Sequence, residues 1–143
     1  MTLHAPYDPE NVFAKILRGE MPAAVIADEA HALAIMDAFP QTRGHCLVIP
    51  KASSRNLLEV APKDLGRLFG LVQRVAKAVD SALSPDGITV LNYNGAPAGQ
   101  TVFHTHIHVV PRYQGSAMAG HGKAHMADMA ELQDLAAAIR AAL

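Results

Sequence analysis

Phe103-His104-Thr105-His106-Ile107-His108-Val109-Val110 sets a histidine at every second position three times in succession. Successive side chains of a strand point to opposite faces. Read as extended chain, the run puts His104, His106 and His108 on one face and Phe103, Thr105, Ile107 and Val109 on the other. The expected strand spans Val102 to Val110. A single imidazole on a strand is usually structural, but three aligned at period two call for a shared role.

Upstream, Ile88 to Tyr93 reads as a second strand, joined to the first by the small-residue loop Asn94-Gly95-Ala96-Pro97-Ala98-Gly99-Gln100. Before it, Lys63 to Leu83 carries Leu65, Leu68, Phe69, Val72, Ala76, Val79 and Leu83 at spacings of three and four, the stripe of an amphipathic helix lying on a sheet, and Pro85-Asp86-Gly87 stops it. The first third predicts a meander. Asn11 caps a short helix over Val12 to Arg18 with Gly19 available to end it. Strands then follow at Ala23 to Ile26, His31 to Met36 and His45 to Ile49, with turns at Asp28-Glu29-Ala30 and Pro40 to Gly44. Tyr113 to Met126 has no sustained period and reads as a surface excursion, with His121 and His125 solvated; Ala127 to Leu143 predicts a closing helix. The pattern predicts an α+β fold: an antiparallel five-stranded, meander-like sheet with one long amphipathic helix, a short N-terminal helix and a C-terminal helix. Residues 1–143 are expected to form a single domain with a core over about 11–112 and a C-terminal extension over about 113–143.

Half the residues are apolar, 17% are charged and the formal net charge is −1, so no global field draws the chain to nucleic acid or an anionic membrane. Any bound anion must be held by local geometry. The only cysteine, Cys46, lies in the apolar run Cys46-Leu47-Val48-Ile49 and is expected to pack as a small hydrophobe in a reducing compartment. The start, Met1-Thr2-Leu3-His4-Ala5-Pro6, has no basic segment followed by an apolar stretch, and no run approaches the roughly 18 apolar residues of a membrane span. A cytoplasmic location is expected.

Neutral imidazoles are metal ligands as well as nucleophiles and proton carriers near neutral pH. The loop before the histidines tips the choice. Gly95 and Gly99 would let backbone amides approach a ligand closely, while Gln100 and Thr101 add an amide and a hydroxyl suited to phosphate oxygens. A zinc site would want further ligands, and no His-Glu-x-x-His, Cys-x-x-Cys or carboxylate cluster supplies them, although His45 could join a set.

The stretch Gly99-Gln100-Thr101-Val102-Phe103-His104-Thr105-His106-Ile107-His108-Val109-Val110 resembles the signature of the histidine triad (HIT) family. Phe13 to Glu20 with Pro22 resembles that family's opening helix, and Gly44-His45-Cys46-Leu47-Val48-Ile49-Pro50-Lys51 its central strand, so the resemblance covers roughly Asn11 to Arg112. The likeness is to the nucleoside phosphoramidase-like branch of bacterial members.

The resemblance implies a two-step transfer. His106 attacks the α-phosphorus of a purine nucleotide to form a nucleotidyl-imidazole, and water then releases the nucleoside monophosphate. It further implies that His108 donates to a nonbridging oxygen and that His104 orients the site, together with His45. Asp37 resembles the position that binds ribose hydroxyls; Phe13, Ile16 and Ile35, with Val12, resemble those that sandwich the base. Asn94, Gly99, Gln100 and Thr101 are the candidate phosphate contacts. Relatives that transfer nucleotides to another acceptor tend to carry glutamine at the third histidine, so His108 favours hydrolysis. Tyr93 stands where members often have asparagine or glutamine, and Asn11 and Ala14 stand where some bacterial relatives hold zinc through Cys-x-x-Cys. No metal and no cofactor are therefore expected. A homodimer joined through the long helix and an adjoining strand is implied, with neither nucleic acid nor membrane as partner. Phosphoramidate hydrolysis heads the functional expectation. The alternatives are dinucleoside polyphosphate hydrolysis, a nucleotide-binding sensor module with vestigial turnover, and a histidine-bound metal enzyme.

Overall fold

The computed structural model describes residues 3–117, 120 and 124–143. Helix α1 spans Val12–Leu17 and is capped by Asn11, whose side chain accepts a hydrogen bond from the Ala14 amide at 2.9 Å. Gly19 leaves the helix at φ +78°, a conformation that costs glycine little. Three strands follow in a meander: β1 (Val25–Asp28), β2 (Ala32–Met36) and β3 (Cys46–Pro50). Helix α2 (Pro62–Leu83) leads to β4 (Gly87–Leu91) and β5 (Ile107–Arg112), and α3 (Met129–Ala141) comes last. All pairings are antiparallel and the sheet order is β1-β2-β3-β5-β4, so the final hairpin docks with β5 innermost. The five-stranded α+β architecture is the one the pattern predicts.

The sheet is covered on both faces. Ala32, Ala34, Met36, Cys46, Val48, Ile107 and Val109 turn toward α2 and α3, whereas Leu33, Ile35, Leu47 and Ile49 turn toward α1 and pack on Phe13. β2 and β3 are buried at every position, as strands clothed on two sides must be. Helix α2 buries Leu68, Leu71, Val72, Val75, Ala78 and Val79, so its inward stripe is rotated from the expected one and Phe69 is 42% exposed. One residue along a helix is a turn of about 100°, enough to carry Phe69 off a face centred on Leu68 and Val72. Among the described residues no helix is long and apolar enough to cross a membrane.

The element bounds differ from expectation by a few residues at most ends, and in one place the difference matters. β5 begins at Ile107, not Val102, so of the three alternating histidines only His108 lies within the strand. Along the β3–β5 register Val48 opposes Ile107, and continuing it would set Thr105 against Pro50, which has no N–H to donate. The Thr105 amide instead donates to the Ser54 carbonyl at 2.9 Å, and the Ser54 and Thr105 hydroxyls bond at 2.7 Å. Beyond Arg112, the described residues of the expected excursion, 113–117, 120 and 124–126, carry neither helix nor strand. His125 is exposed; His121 lies outside the described residues.

Candidate active site

A cavity of about 760 Å³ opens beside the N-terminal half of β5 and is lined by His106, His108, His45, Asp37 and Thr101. Phe13, Ile16 and Ile35 lie on its apolar wall, and Ala124, Met126, Met129 and Leu132 also line it. The Phe13 ring meets His106 edge-on at 4.8 Å between centroids, and His106 lies 5.0 Å from His108.

Backbone groups have fixed hydrogen-bonding roles, so they determine where each imidazole carries its proton. The Nδ1 of His106 lies 2.7 Å from the His104 carbonyl, which can only accept. Nδ1 is therefore protonated, and in the neutral ring the lone pair sits on Nε2. The Gln41 amide donates to Nδ1 of His45 at 3.0 Å, so a neutral His45 carries its proton on Nε2. That nitrogen is 2.9 Å from Nδ1 of His108 and 3.3 Å from Oδ2 of Asp37. Accepting at Nδ1 leaves His108 with its own proton on Nε2, a donor for an anionic ligand.

His104 stands apart from this group. Its Nε2 donates to the Pro50 carbonyl at 2.8 Å, its Nδ1 bonds the Tyr7 hydroxyl at 2.6 Å, and it does not line the cavity. Burial depresses its pKa, so it stays neutral, although the Pro50 bond acts in the opposite sense. Of the three alternating histidines, only His106 and His108 line the cavity, and the His45 imidazole meets His108 and Asp37. Residues 104–106 lie ahead of the strand start, where the β3–β5 ladder has ended short of Pro50, so no ladder enforces strand alternation on them. What His104 lends the site is its carbonyl, which holds the tautomer of His106.

Asp37 lies just past β2, with Oδ1 accepting from the Phe39 amide at 2.8 Å. Burial pushes its carboxyl up to about 6, partly offset by that amide. Asp37, His45 and His108 bring ligand atoms within 4.8 Å of one another, the one such group among the described residues able to hold a metal ion. The Gln41 amide argues against that use, because it draws the lone pair of His45 to Nδ1 and leaves a proton where a metal would bind. The three form a proton-sharing chain instead.

The expected phosphate loop is arranged differently from its sequence reading. Gln100 is 3% exposed; its Oε1 accepts from the Gly95 amide at 2.8 Å and its Nε2 donates to the Arg55 and Val102 carbonyls at 2.8 and 3.0 Å. The amides of Ala98, Gly99 and Gln100 are likewise bonded within the loop. Gly99 takes φ +114° with the Tyr93 ring 2.9 Å from where a Cβ would be, which only glycine allows. Asn94 accepts from the Leu57 amide and donates to Asn92. Gly99, Gln100 and Asn94 thus build the loop, leaving Thr101 and Val102 on the cavity wall.

Sequence reading missed three contributors. Tyr7 holds His104, the Gln41 amide sets His45, and Asn92 donates to the His106 carbonyl at 3.0 Å. None carries a period or motif; each is recognisable only once chain segments far apart have met. Tyr93, flagged as a departure, packs edge-on against His108 at 5.5 Å between centroids.

The family model for the HIT domain matches residues 18–115. A HIT-like protein from Bartonella henselae, described as involved in cell-cycle regulation and solved with an unknown ligand, superposes with a TM-score of 0.89 at 41% identity over 96% of this chain and all of that one. Protein hit of Bacillus subtilis is 37% identical over 131 residues, 90% of each chain. Adenylylsulfatase HINT3 of Arabidopsis thaliana is 40% identical over 101 residues, 71% of this chain and 51% of that protein. With the sheet order, the histidine cluster and these likenesses in agreement, the chain belongs to the HIT domain family.

Proposed function

We propose that this protein hydrolyses purine nucleoside phosphoramidates at the α-phosphorus through a covalent intermediate on His106. The observation that carries the reading is the bond from His106 Nδ1 to the His104 carbonyl, which leaves the unprotonated Nε2 of a cavity-lining imidazole as nucleophile. Attack by Nε2 forms a P–N bond to His106 and breaks the bond to the amine, whose leaving nitrogen takes a proton from solvent that the attacking water of the second step returns. Water then adds to phosphorus, the P–Nε2 bond breaks and the nucleoside monophosphate departs. His108 donates from Nε2 to a phosphate oxygen as charge builds, a preorganised stabilisation that strengthens in a low-dielectric cavity. Thr101 adds a hydroxyl, Asp37 accepts from the ribose hydroxyls, and Phe13, Ile16 and Ile35 hold the base.

A nucleoside 5′-phosphosulfate is the second substrate to test, favoured by the adenylylsulfatase among the relatives, since sulfate would leave by the same displacement. Release of AMP from adenosine 5′-phosphoramidate by the wild type and by His106→Ala decides the matter. Activity present in the first and abolished in a folded second supports the mechanism; full activity in His106→Ala overturns it. Wild type inert toward the phosphoramidate but active on the phosphosulfate would replace the substrate and keep the nucleophile. We further propose that two copies associate through α2 and β4, where Phe69 and Val90 are exposed.

A further inference from the structure

We propose that Tyr7 is a positioning residue for the nucleophile, holding His104 so that the carbonyl of that residue fixes the proton of His106. Its kinetic consequence rests on the hydrolase reading above; its geometry does not. Residues 104–106 precede β5 and lie beyond the β3–β5 ladder, so strand pairing does not set their backbone. Side chains take over that task. The Thr105 amide and hydroxyl bond to Ser54, and the His104 imidazole is gripped at both nitrogens. Its Nε2 donates to the Pro50 carbonyl at 2.8 Å, which leaves the lone pair of the neutral ring on Nδ1. Burial keeps the ring neutral and able to accept. The Tyr7 hydroxyl therefore donates to Nδ1, at 2.6 Å.

The segment that carries Tyr7 is itself held at both ends. The fully buried Asn56 donates from Nδ2 to the Leu3 carbonyl at 2.8 Å. Asn11 Nδ2 donates to the Asp8 carbonyl and Arg18 Nη1 to the Pro9 carbonyl, each at 2.7 Å. The tether gives the Tyr7 hydroxyl a defined place, and with it one side of the imidazole. A flip of the His104 ring would break both of its bonds, so the residue stays put and its carbonyl stays 2.7 Å from His106 Nδ1. Tyr7 does not line the cavity, so it acts through His104 and not on the substrate. Without its hydroxyl, Nδ1 of a buried imidazole loses its donor, the ring shifts toward another, and the His106 proton is no longer confined to Nδ1.

Tyr7→Phe removes one oxygen and keeps the ring that meets His104 edge-on at 5.7 Å between centroids. A thermal scan checks that the variant is folded at the assay temperature. Wild type and variant are then compared by steady-state release of AMP from adenosine 5′-phosphoramidate and by the ring-nitrogen NMR shifts of His106, assigned by their loss in His106→Ala. In the variant kcat should fall roughly tenfold with KM unchanged, the effect of a nucleophile loosened but not removed. The His106 shifts should move from a single Nδ1-protonated form toward a mixture of tautomers. A fall in kcat with those shifts unmoved overturns the positioning role, as does a loss confined to KM. Unchanged kcat and unchanged shifts reduce Tyr7 to packing. If the wild type releases no AMP, the hydrolase reading falls on its own, and the ring shifts still decide whether Tyr7 holds His106.

Discussion

Gln100 distinguishes a phosphate contact from a loop clasp. Its side chain makes three hydrogen bonds, at 2.8, 2.8 and 3.0 Å, to the Gly95 amide and the Arg55 and Val102 carbonyls, and it is 3% exposed. Truncation to alanine leaves three backbone groups in a pocket that water reaches poorly. At about 1 kcal/mol net for each bond, Gln100→Ala should cost about 3 kcal/mol. For a domain of this size that lowers Tm by roughly 10 °C. Urea unfolding of both proteins gives the first figure and a thermal scan the second. Steady-state release of AMP, measured well below the variant's Tm, then shows how far the loosened loop misplaces Thr101. Loss of less than about 1 kcal/mol together with a large fall in kcat would refute the reasoning. It would mean that the amide serves the substrate and that the loop holds without it.

Gly44→Ala should destabilise by about 2 kcal/mol or more, read by urea midpoint. Gly44 has φ +91° and a Cβ would stand 2.3 Å from Leu83 Cδ1, so rotating Leu83 away relieves the clash but not the backbone. Asp37→Asn should change how stability depends on pH. With its folded pKa raised from 3.8 to about 6, wild-type Asp37 binds more protons folded than unfolded in that window, so its contribution falls as pH rises from about 4 to 6. The asparagine variant should show a flatter profile and gain on the order of 2 kcal/mol relative to wild type at pH 7; parallel profiles would contradict the burial argument. Thr101→Ala should slow release by less than about tenfold with unchanged stability, since Thr101 is exposed on the cavity wall and offers a single hydroxyl. Chelator should leave turnover unchanged, because His45 carries a proton where a metal ligand needs a lone pair.

Where a segment's environment is repetitive, its sequence is enough to read it. Helix α2, the Asn11 cap and the strand cores follow from periodicity and cap chemistry, which report on neighbours within a few residues. The histidines marked the site for the same reason. Their arrangement was not legible, because it depends on Pro50, which ends the ladder that would have aligned Thr105 with β3. Gln100 and Asn94 show a second kind of limit. A side-chain amide offers the same donors to a phosphate and to a backbone carbonyl, and only the packing of Arg55, Leu57 and Gly95 around them decides which is met. Phe69 was misplaced by a rotation too small for an apolar stripe to register.

The sheet joins two locally connected pieces, the β1–β3 meander and the β4–β5 hairpin, along the single β3–β5 seam. His45 and His108 meet across that seam from positions 63 residues apart. Each piece can form from contacts near in sequence, whereas closing the seam costs the entropy of the long intervening loop and is the slow event in a folding landscape ordered by contact order. On the proposed function, turnover would therefore read out docking between the halves. After dilution from denaturant, helical and hairpin signals should return first, and turnover should count only those molecules in which the two pieces have found each other.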